Sequence, residues 1–425
     1  MNTTTHTNRP VRRWAMLVSA AVAAAVAIAP LPAAAHNGAK PPDASRDPAV
    51  IGQWNAFAME VLTPSGRPLI TQPFVVAAMH VAIYDAVVAV EGGAKPFGTR
   101  LTAPPGTSSQ AAAAAAAHGV LVGFLPTNTD AFDTALANSL AAIPDGTAET
   151  NGVAVGRAAA AATLAYRLVD GSQSGPLPPV PAPAPGVWAP TPPATSGLNP
   201  WVTHAIPFAL HSPDQFRPGP PPRLDSRRFL RDLDEVRRLG GSASTERTEE
   251  QTAVARFWAD QPVAQSQRAL RNHAAKLGWD ILETSRLFAA LLTSQVDALT
   301  ACWDAKYHYE FWRPWQSVPT IEPGWTPLLP TPNHPEYPSS HACLTGATAF
   351  ALARIMQTEA IDFEVDAANI GITRHYPTRD DLTEEIREAR IWGGVHYRFS
   401  IEAGLRLAEK VVKFNLNRNF RLTSR

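Results

Sequence analysis

The chain has 425 residues, with 37 basic and 37 acidic side chains, 45% hydrophobic residues and 17% charged residues. This balance excludes a disordered charged tail and shows no basic excess of the kind that binds nucleic acid. We therefore expect a globular protein with a large hydrophobic core and no nucleic-acid partner. The 40 prolines predict long irregular segments, because proline interrupts helices.

Residues 1–35 have the pattern of an export signal. Three arginines within 9–13 precede an apolar run at 15–29, and alanines at 33–35 form a small-residue cleavage site before His36. We expect export to the periplasm or the extracellular space, by either the general secretory or the twin-arginine route. No later segment predicts a membrane span, so we expect no membrane contact after the signal is removed.

Helical periodicity dominates the chain after residue 70, because apolar residues recur at spacings of three and four, and no series of strands interrupts it. His80 and Asp85 fall inside the first of these helices, where we expect them to pack in the core rather than to bind a ligand. The predicted helices are Gln72–Glu91, Ser108–Phe124, Thr147–Val169, Ser226–Leu239, Glu249–Trp258, Gln265–Leu277, a long helix near Asp280–Trp312, Ser340–Gln357, Arg379–Ile391 and Ile401–Asn415.

A proline-rich stretch, residues 176–222, separates the helices into two groups and contains 16 of the 40 prolines. We expect an all-α fold of two packed helical bundles, an N-terminal one at 36–175 and a C-terminal one at 223–425, joined by this stretch. The sequence leaves open whether the chain is a monomer or a homodimer. Four large aromatic residues favour an ordered crossover over a free linker: Trp188, Trp201, Phe208 and Phe216.

Cys302 and Cys343 are the only cysteines in the sequence. Two cysteines exclude a disulfide scaffold and a cysteine-based zinc cluster. The sequence leaves open whether they form a disulfide or are two buried thiols.

Two segments contain residue types suited to binding an oxyanion. In the first, Lys306 and Arg313 are seven residues apart, which on one helix would place both cations on nearly the same face. In the second, Ser339 and Ser340 precede an apolar helix, whose free N–H groups and dipole favour an anion. His341 follows in the first turn of that helix.

A third segment, RIWGGVH, has Arg390 and His396 six residues apart. On a straight helix these side chains would point about 120° away from one another. We therefore expect either a long reach by Arg390 or a break of the chain at Gly393 and Gly394 if both residues meet at one ion.

The order and spacing of these segments resemble the signature of the vanadium-dependent haloperoxidases and of the type 2 phosphatidic-acid and bacterial acid phosphatases. That signature is Lys, six residues, Arg-Pro; then Pro-Ser-Gly-His; then Ser-Arg, five residues, His, three residues, Asp. Trp303 and the ending FWRP of the first segment are closer to the haloperoxidases. The resemblance is sharp over residues 297–400 and diffuse elsewhere.

The resemblance implies a vanadate pocket in which His396 is the only protein ligand of vanadium and His341 transfers protons. It also implies that Trp303 lines the halide side. His334 occupies a position that is His in algal bromoperoxidases and Phe in the fungal chloroperoxidase, so it is a candidate neighbour of the site. The groups implied to neutralise the vanadate oxygens are Lys306, Arg313, Ser339, Ser340 and Arg390.

Three positions depart from the signature. Ser340 replaces Gly, Ala389 replaces Ser, and Ser400 replaces the Asp that follows the histidine. If that Asp orients the imidazole of His396, a neutral serine hydroxyl would do so less strongly. This departure bears on the affinity for vanadium and on the nucleophilicity of His396.

The function implied by the resemblance is a haloperoxidase-like enzyme that oxidises halide with hydrogen peroxide at a histidine-bound vanadate. Two alternatives stay open. A soluble exported acid phosphatase would act on a phosphomonoester without vanadate, with His396 forming a phosphohistidine and His341 protonating the leaving group. A non-catalytic phosphate-binding relic is supported only by the serine at position 400.

Overall fold

Thirteen α-helices and one two-stranded antiparallel sheet make up residues 46–423, the part of the chain that the computed structural model describes. The predicted export signal, residues 1–35, lies outside these residues. The first five helices are α1 (Ala49–Leu62), α2 (Gln72–Glu91), α3 (Ser109–Phe124), α4 (Thr129–Leu140) and α5 (Thr147–Arg167). The later elements are α6 (Arg227–Gly240), α7 (Glu249–Phe257), α8 (Pro262–Leu277), α9 (Ile281–Tyr309), α10 (Pro314–Ser317), α11 (Ser340–Met356), β1 (Ala360–Ala367), β2 (Ile372–Thr378), α12 (Arg379–Trp392) and α13 (Arg398–Arg418).

The predicted all-α class is confirmed, whereas α1, α4 and the β1–β2 hairpin are additions that the sequence analysis did not predict. The register of the hairpin pairs Phe363 with Tyr376 and Val365 with Arg374. Alternate residues of β1 are buried, and the strand packs against α8 and α11. The segment AIDFEVDA alternates apolar and polar residues, which is the pattern of a half-buried strand, so the signal for this hairpin was present in the sequence.

Helix α9 is the central element of the fold. It begins at a capping box, in which Asp280 accepts the Glu283 N–H and the Glu283 side chain accepts the Asp280 N–H. It ends at Tyr309, because Glu310 adopts a left-handed conformation with φ 43°. Most of the helix is buried, and it packs against α2, α11 and α13. It also carries Cys302, which is a buried free thiol, as is Cys343 of α11.

Helix α2 is an apolar core helix that packs against α3, α5 and α9. Within residues 46–423, Leu69–Glu91 is the one helical segment long and apolar enough to cross a membrane, and 89% of its most apolar window is buried. The contact between α3 and α5 is especially close. A Cβ atom at Gly156 would lie 2.3 Å from the carbonyl oxygen of Ala112, so only glycine permits this approach.

The proline-rich stretch is held against α9 by two acidic side chains of that helix. The carboxylate of Asp297 accepts the main-chain N–H groups of residues 208–210 at 2.6, 2.7 and 3.0 Å. Asp304 forms a bidentate ion pair with Arg217 at 2.6 and 2.8 Å. Burial raises the pKa of Asp297 to about 6, while its three N–H donors act in the opposite direction. The crossover is therefore fixed to the helix that also carries the first predicted motif.

We expect Asp297→Ala to lower the free energy of unfolding by about 2 kcal/mol or more, because it leaves three main-chain N–H groups without their acceptor. Asp304→Ala is the matched control on the same helix, since a partly exposed ion pair contributes only about 0.2–1 kcal/mol. Chemical denaturation measures both variants. Equal losses would contradict the anchoring role of Asp297.

Candidate active site

A cavity of about 330 Å³ lies where the predicted segments meet. Its polar lining includes Ser340, His341, Arg390 and His396, so residues from two of the three segments face the same space. Trp303 and His334 also line it. Much of the remaining wall is apolar and includes Ile70, Leu198, Val263, Leu299, Leu329 and Leu344.

Lys306 and Arg313 lie near this cavity but differ in backbone conformation. Lys306 lies in the last turn of α9, whereas Arg313 follows the left-handed Glu310 and has an extended conformation before Pro314 begins α10. The expectation that both cations project from one helix face is therefore wrong. They approach one another because the chain turns after Tyr309.

The helix that carries Arg390 ends before His396. This is one of the two arrangements that were expected to bring both residues to one ion. Helix α12 ends at Trp392, and Gly394 adopts a positive φ of 74°. A Cβ atom at Gly394 would also lie 2.3 Å from the carbonyl oxygen of Gly240. Glycine is required here for both reasons, and the turn brings His396 back to the cavity that Arg390 lines.

The three cations of the site are buried and hydrogen-bonded mainly to the backbone. The Lys306 ammonium donates to the carbonyl oxygens of Pro335, Glu336 and Pro338. Because an ammonium has three hydrogens, these bonds use its whole donor capacity. In this structure the Lys306 ammonium lies against the loop that precedes α11, and its direct contact with an anion stays a prediction.

Arg313 also holds neighbouring loops. Its Nε donates to the His334 carbonyl at 2.9 Å, and its Nη1 donates to the Val395 carbonyl at 2.8 Å. Arg390 is less fully paired, since its Nη1 donates to the Trp258 carbonyl at 3.0 Å while its buried Nε has no partner among the described residues. Arg390 is therefore the cation with a buried donor left over for a ligand.

Burial lowers the pKa of all three cations, to about 8 for Lys306, about 10 for Arg313 and about 9 for Arg390. The same groups repel one another, since Arg313 lowers the pKa of both Lys306 and Arg390. Glu336 is the buried carboxylate beside them, and burial raises its pKa to about 7 although Arg313 and Lys306 lower it. Three cations against one carboxylate leave an excess of positive charge that favours an anion.

His396 is held in one tautomer by Glu336. Its Nδ1 lies 2.8 Å from Glu336 Oε1, and because a carboxylate only accepts, Nδ1 carries the hydrogen. Its Nε2 therefore has a lone pair, and it lies 3.4 Å from Nη1 of Arg313. Burial and the nearby cations keep the pKa of His396 well below its ordinary value. The imidazole is neutral, which is the form that binds a metal or attacks phosphorus.

Ser339, Ser340 and His341 begin helix α11. Ser339 is the N-cap, and its buried hydroxyl has no hydrogen-bond partner among residues 46–423. Ser340 is absent from the positive-φ residues of the described chain, so its replacement of glycine causes no backbone strain. His341 lines the cavity, and burial followed by the Arg390 charge lowers its pKa well below the ordinary value.

Trp303 and His334 form one wall of the cavity. Their ring centroids are 5.0 Å apart, and the Trp303 indole donates to the Leu198 carbonyl at 3.3 Å. Nδ1 of His334 lies 3.0 Å from Nη2 of Arg313. Burial lowers the pKa of His334 well below its ordinary value, so a neutral ring lies against the Arg313 guanidinium and the Pro335 carbonyl.

Glu336 is the site residue that sequence reasoning missed. It accepts the Tyr397 N–H at 3.1 Å with the same oxygen that contacts His396. Ser400, by contrast, donates its hydroxyl to the main-chain oxygen of Glu336 at 3.4 Å. The signal was present, because the signature lacks its carboxylate at position 400 and the segment HPEYPSSH contains an acidic residue beside the second motif.

The site and the fold both have counterparts among known proteins. Residues 286–424 match the family model of the VCPO second helical-bundle domain. A bacterial vanadium-dependent iodoperoxidase superposes with a TM-score of 0.77 and 24% sequence identity, covering 91% of this chain and 99% of its own. A bacterial vanadium-dependent chloroperoxidase in its holo form has a TM-score of 0.67 and 17% identity, covering 82% of this chain and 91% of its own.

The apo form of the bacterial chloroperoxidase gives a similar result, with a TM-score of 0.66 and 17% identity. No curated protein matches the sequence. The helical fold is thus that of the vanadium haloperoxidases, and the segment with all three motifs matches their second helical-bundle domain. The chain is therefore similar to the vanadium haloperoxidases in fold and, over residues 286–424, in sequence.

We expect Arg390→Gln to weaken the binding of inorganic phosphate about tenfold to a hundredfold, because a charge-assisted hydrogen bond contributes roughly 1.5–3 kcal/mol. Isothermal titration calorimetry measures this change. Arg387→Gln is the control on the same helix, since Arg387 is paired with Glu384 at the surface and should leave phosphate affinity unchanged. Unaltered affinity in Arg390→Gln would remove this residue from the anion site.

Proposed function

We propose that this protein is a vanadium-dependent haloperoxidase-like enzyme that oxidises halide with hydrogen peroxide. The observation that carries the proposal is the buried pocket in which a neutral His396 presents an unprotonated nitrogen beside an excess of positive charge. Vanadate needs both features, one nitrogen ligand and cations for its oxygens. The fold shared with bacterial iodoperoxidase and chloroperoxidase structures supports the same assignment.

A second observation, independent of the fold, indicates that the described residues suit vanadate. The buried Ser339 hydroxyl and the Arg390 Nε have no partners within residues 46–423, although buried polar groups are normally paired. An oxyanion would satisfy both. His396 would supply the nitrogen ligand, and Arg390, Ser339 and the N-terminus of α11 would hold the oxygens.

When bound, vanadate would supply a Lewis-acid centre that activates peroxide toward halide. Around it, Glu336 holds the hydrogen of the His396 imidazole at Nδ1 and keeps Nε2 free. His341 is neutral and lines the cavity, so it is placed to accept a proton from an incoming peroxide and to release it later. The apolar wall limits water, which strengthens each charge interaction in the pocket.

His341 acts in this scheme without a carboxylate partner. Asp297 and Asp304, the two acids of α9 closest in sequence to the first motif, are bound to the crossover and to Arg217. No group of the described chain makes a hydrogen bond with His341 of the kind that His396 makes with Glu336. The two histidines are therefore distinct, one fixed in a single tautomer and the other free to exchange a proton.

We expect the apo protein to oxidise bromide with hydrogen peroxide only after vanadate is added, and His396→Ala to abolish this activity. Halogenation of a dye-forming acceptor measures it. His375→Ala, which changes a histidine exposed at the hairpin, is the matched control and should keep full activity. A labelled phosphohistidine trapped from a phosphomonoester, together with no bromination at any vanadate concentration, would replace this proposal by a phosphatase.

We also propose that the protein is exported, with halide and peroxide as its small-molecule substrates outside the cytoplasm. The arginines, apolar run and alanine site of residues 1–35 support this. N-terminal sequencing of protein recovered from the periplasm or the medium should give a chain that begins near His36. Recovery of the full-length chain in the cytoplasm alone would contradict export.

A further inference from the structure

We propose that Glu336 is the positioning residue of His396, and that it supplies the carboxylate that the signature places at position 400. The inference deepens the proposed function, because it concerns the nitrogen that would bind vanadium. Its geometry stands independently of that function. Glu336 Oε1 lies 2.8 Å from His396 Nδ1, and both side chains are buried.

One carboxylate oxygen fixes both the ring and the backbone that carries it. Besides His396 Nδ1, Glu336 Oε1 accepts the N–H of the next residue, Tyr397, at 3.1 Å. The imidazole therefore cannot rotate about its Cβ–Cγ bond without breaking a charge-assisted hydrogen bond. Its Nε2 stays directed toward Arg313, from whose Nη1 it is 3.4 Å distant.

Glu336 is itself held by two motif residues that do not line the cavity. Its main-chain oxygen accepts from Lys306 Nζ at 3.0 Å and from the Ser400 hydroxyl at 3.4 Å. Its main-chain N–H donates to the Phe311 carbonyl at 2.9 Å. Ser400 thus supports the segment that carries the carboxylate, where the signature places the carboxylate itself.

Glu336 could instead act only through its charge. The two roles predict opposite changes in anion affinity when Glu336 is removed. If Glu336 only offsets the charge of Lys306 and Arg313, its removal makes the pocket more positive and strengthens the binding of any oxyanion. If it orients His396, its removal weakens the one anion that forms a bond to Nε2. Vanadate and phosphate separate these roles, because phosphate binds through charge and hydrogen bonds alone.

The test compares vanadate and phosphate affinity in the wild-type protein and in Glu336→Ala, without peroxide or halide. We expect vanadate binding to weaken roughly tenfold to a hundredfold, the usual effect of losing a carboxylate behind a ligating histidine. Phosphate binding should be unchanged or stronger. Calorimetry measures both anions, and nitrogen NMR of histidine-labelled apo protein should show that His396 no longer prefers the tautomer protonated at Nδ1.

Glu336→Gln keeps the size and the acceptor of the side chain, and should show a smaller loss of vanadate affinity in the same direction. Glu336→Ala combined with Ser400→Asp returns a carboxylate to the position of the signature and should recover vanadate affinity. Glu402→Gln, a change at a half-buried surface ion pair with Arg228 two residues beyond Ser400, is the control. Unchanged vanadate affinity in Glu336→Ala, or an equal loss for both anions, would overturn the proposal.

These measurements are separable from the proposed function. Loss of vanadate affinity with retained phosphate affinity would establish the positioning role even if the wild-type protein oxidised no halide. Conversely, halide oxidation that survives Glu336→Ala with unchanged vanadate affinity would leave the enzyme assignment intact and reject Glu336 as the positioning residue.

Discussion

The burial of three cations around one site is the constraint on which the rest of that site depends. Lys306, Arg313 and Arg390 are all almost fully buried, where charge repulsion is screened far less than in water. Main-chain carbonyls supply partial negative charge to each of them. Carbonyl groups carry no formal charge, however, so the pocket still favours an anion.

The same carbonyls join the site to the architecture of the helices. Those that Lys306 contacts belong to the loop before α11, and the Val395 carbonyl that Arg313 contacts lies between α12 and α13. Each loop takes its position from the helices it connects, and those helices pack on α9 or on one another. The cations therefore have two roles. They hold the loops through hydrogen bonds to main-chain carbonyls, and they leave an excess of positive charge at the pocket.

Sequence patterns predicted what depends on local periodicity and on motif order. Most of the helices were predicted from periodicity, and the break at Gly393 and Gly394 was one of the two expected routes. Motif order predicted a shared site, and residues of two of the three segments line one cavity. The end of α9 at Tyr309 was not predicted, because a left-handed Glu310 has no reliable sequence mark. The contacts of Lys306 were also out of reach, since main-chain carbonyls give no residue-type signal.

Glu336 shows why a signature read position by position underestimates a site. The imidazole of His396 requires an acceptor at Nδ1, and this requirement concerns an atom in space rather than a residue four positions along the helix. Glu336 and His396 are far apart in sequence but are brought within 2.8 Å by the loop that Lys306 holds. A serine at position 400 is then compatible with an ordered histidine, because its hydroxyl supports that same loop. His396 thus has a carboxylate partner although position 400 is a serine, and the substitution at position 400 gives no reason to regard the site as a relic.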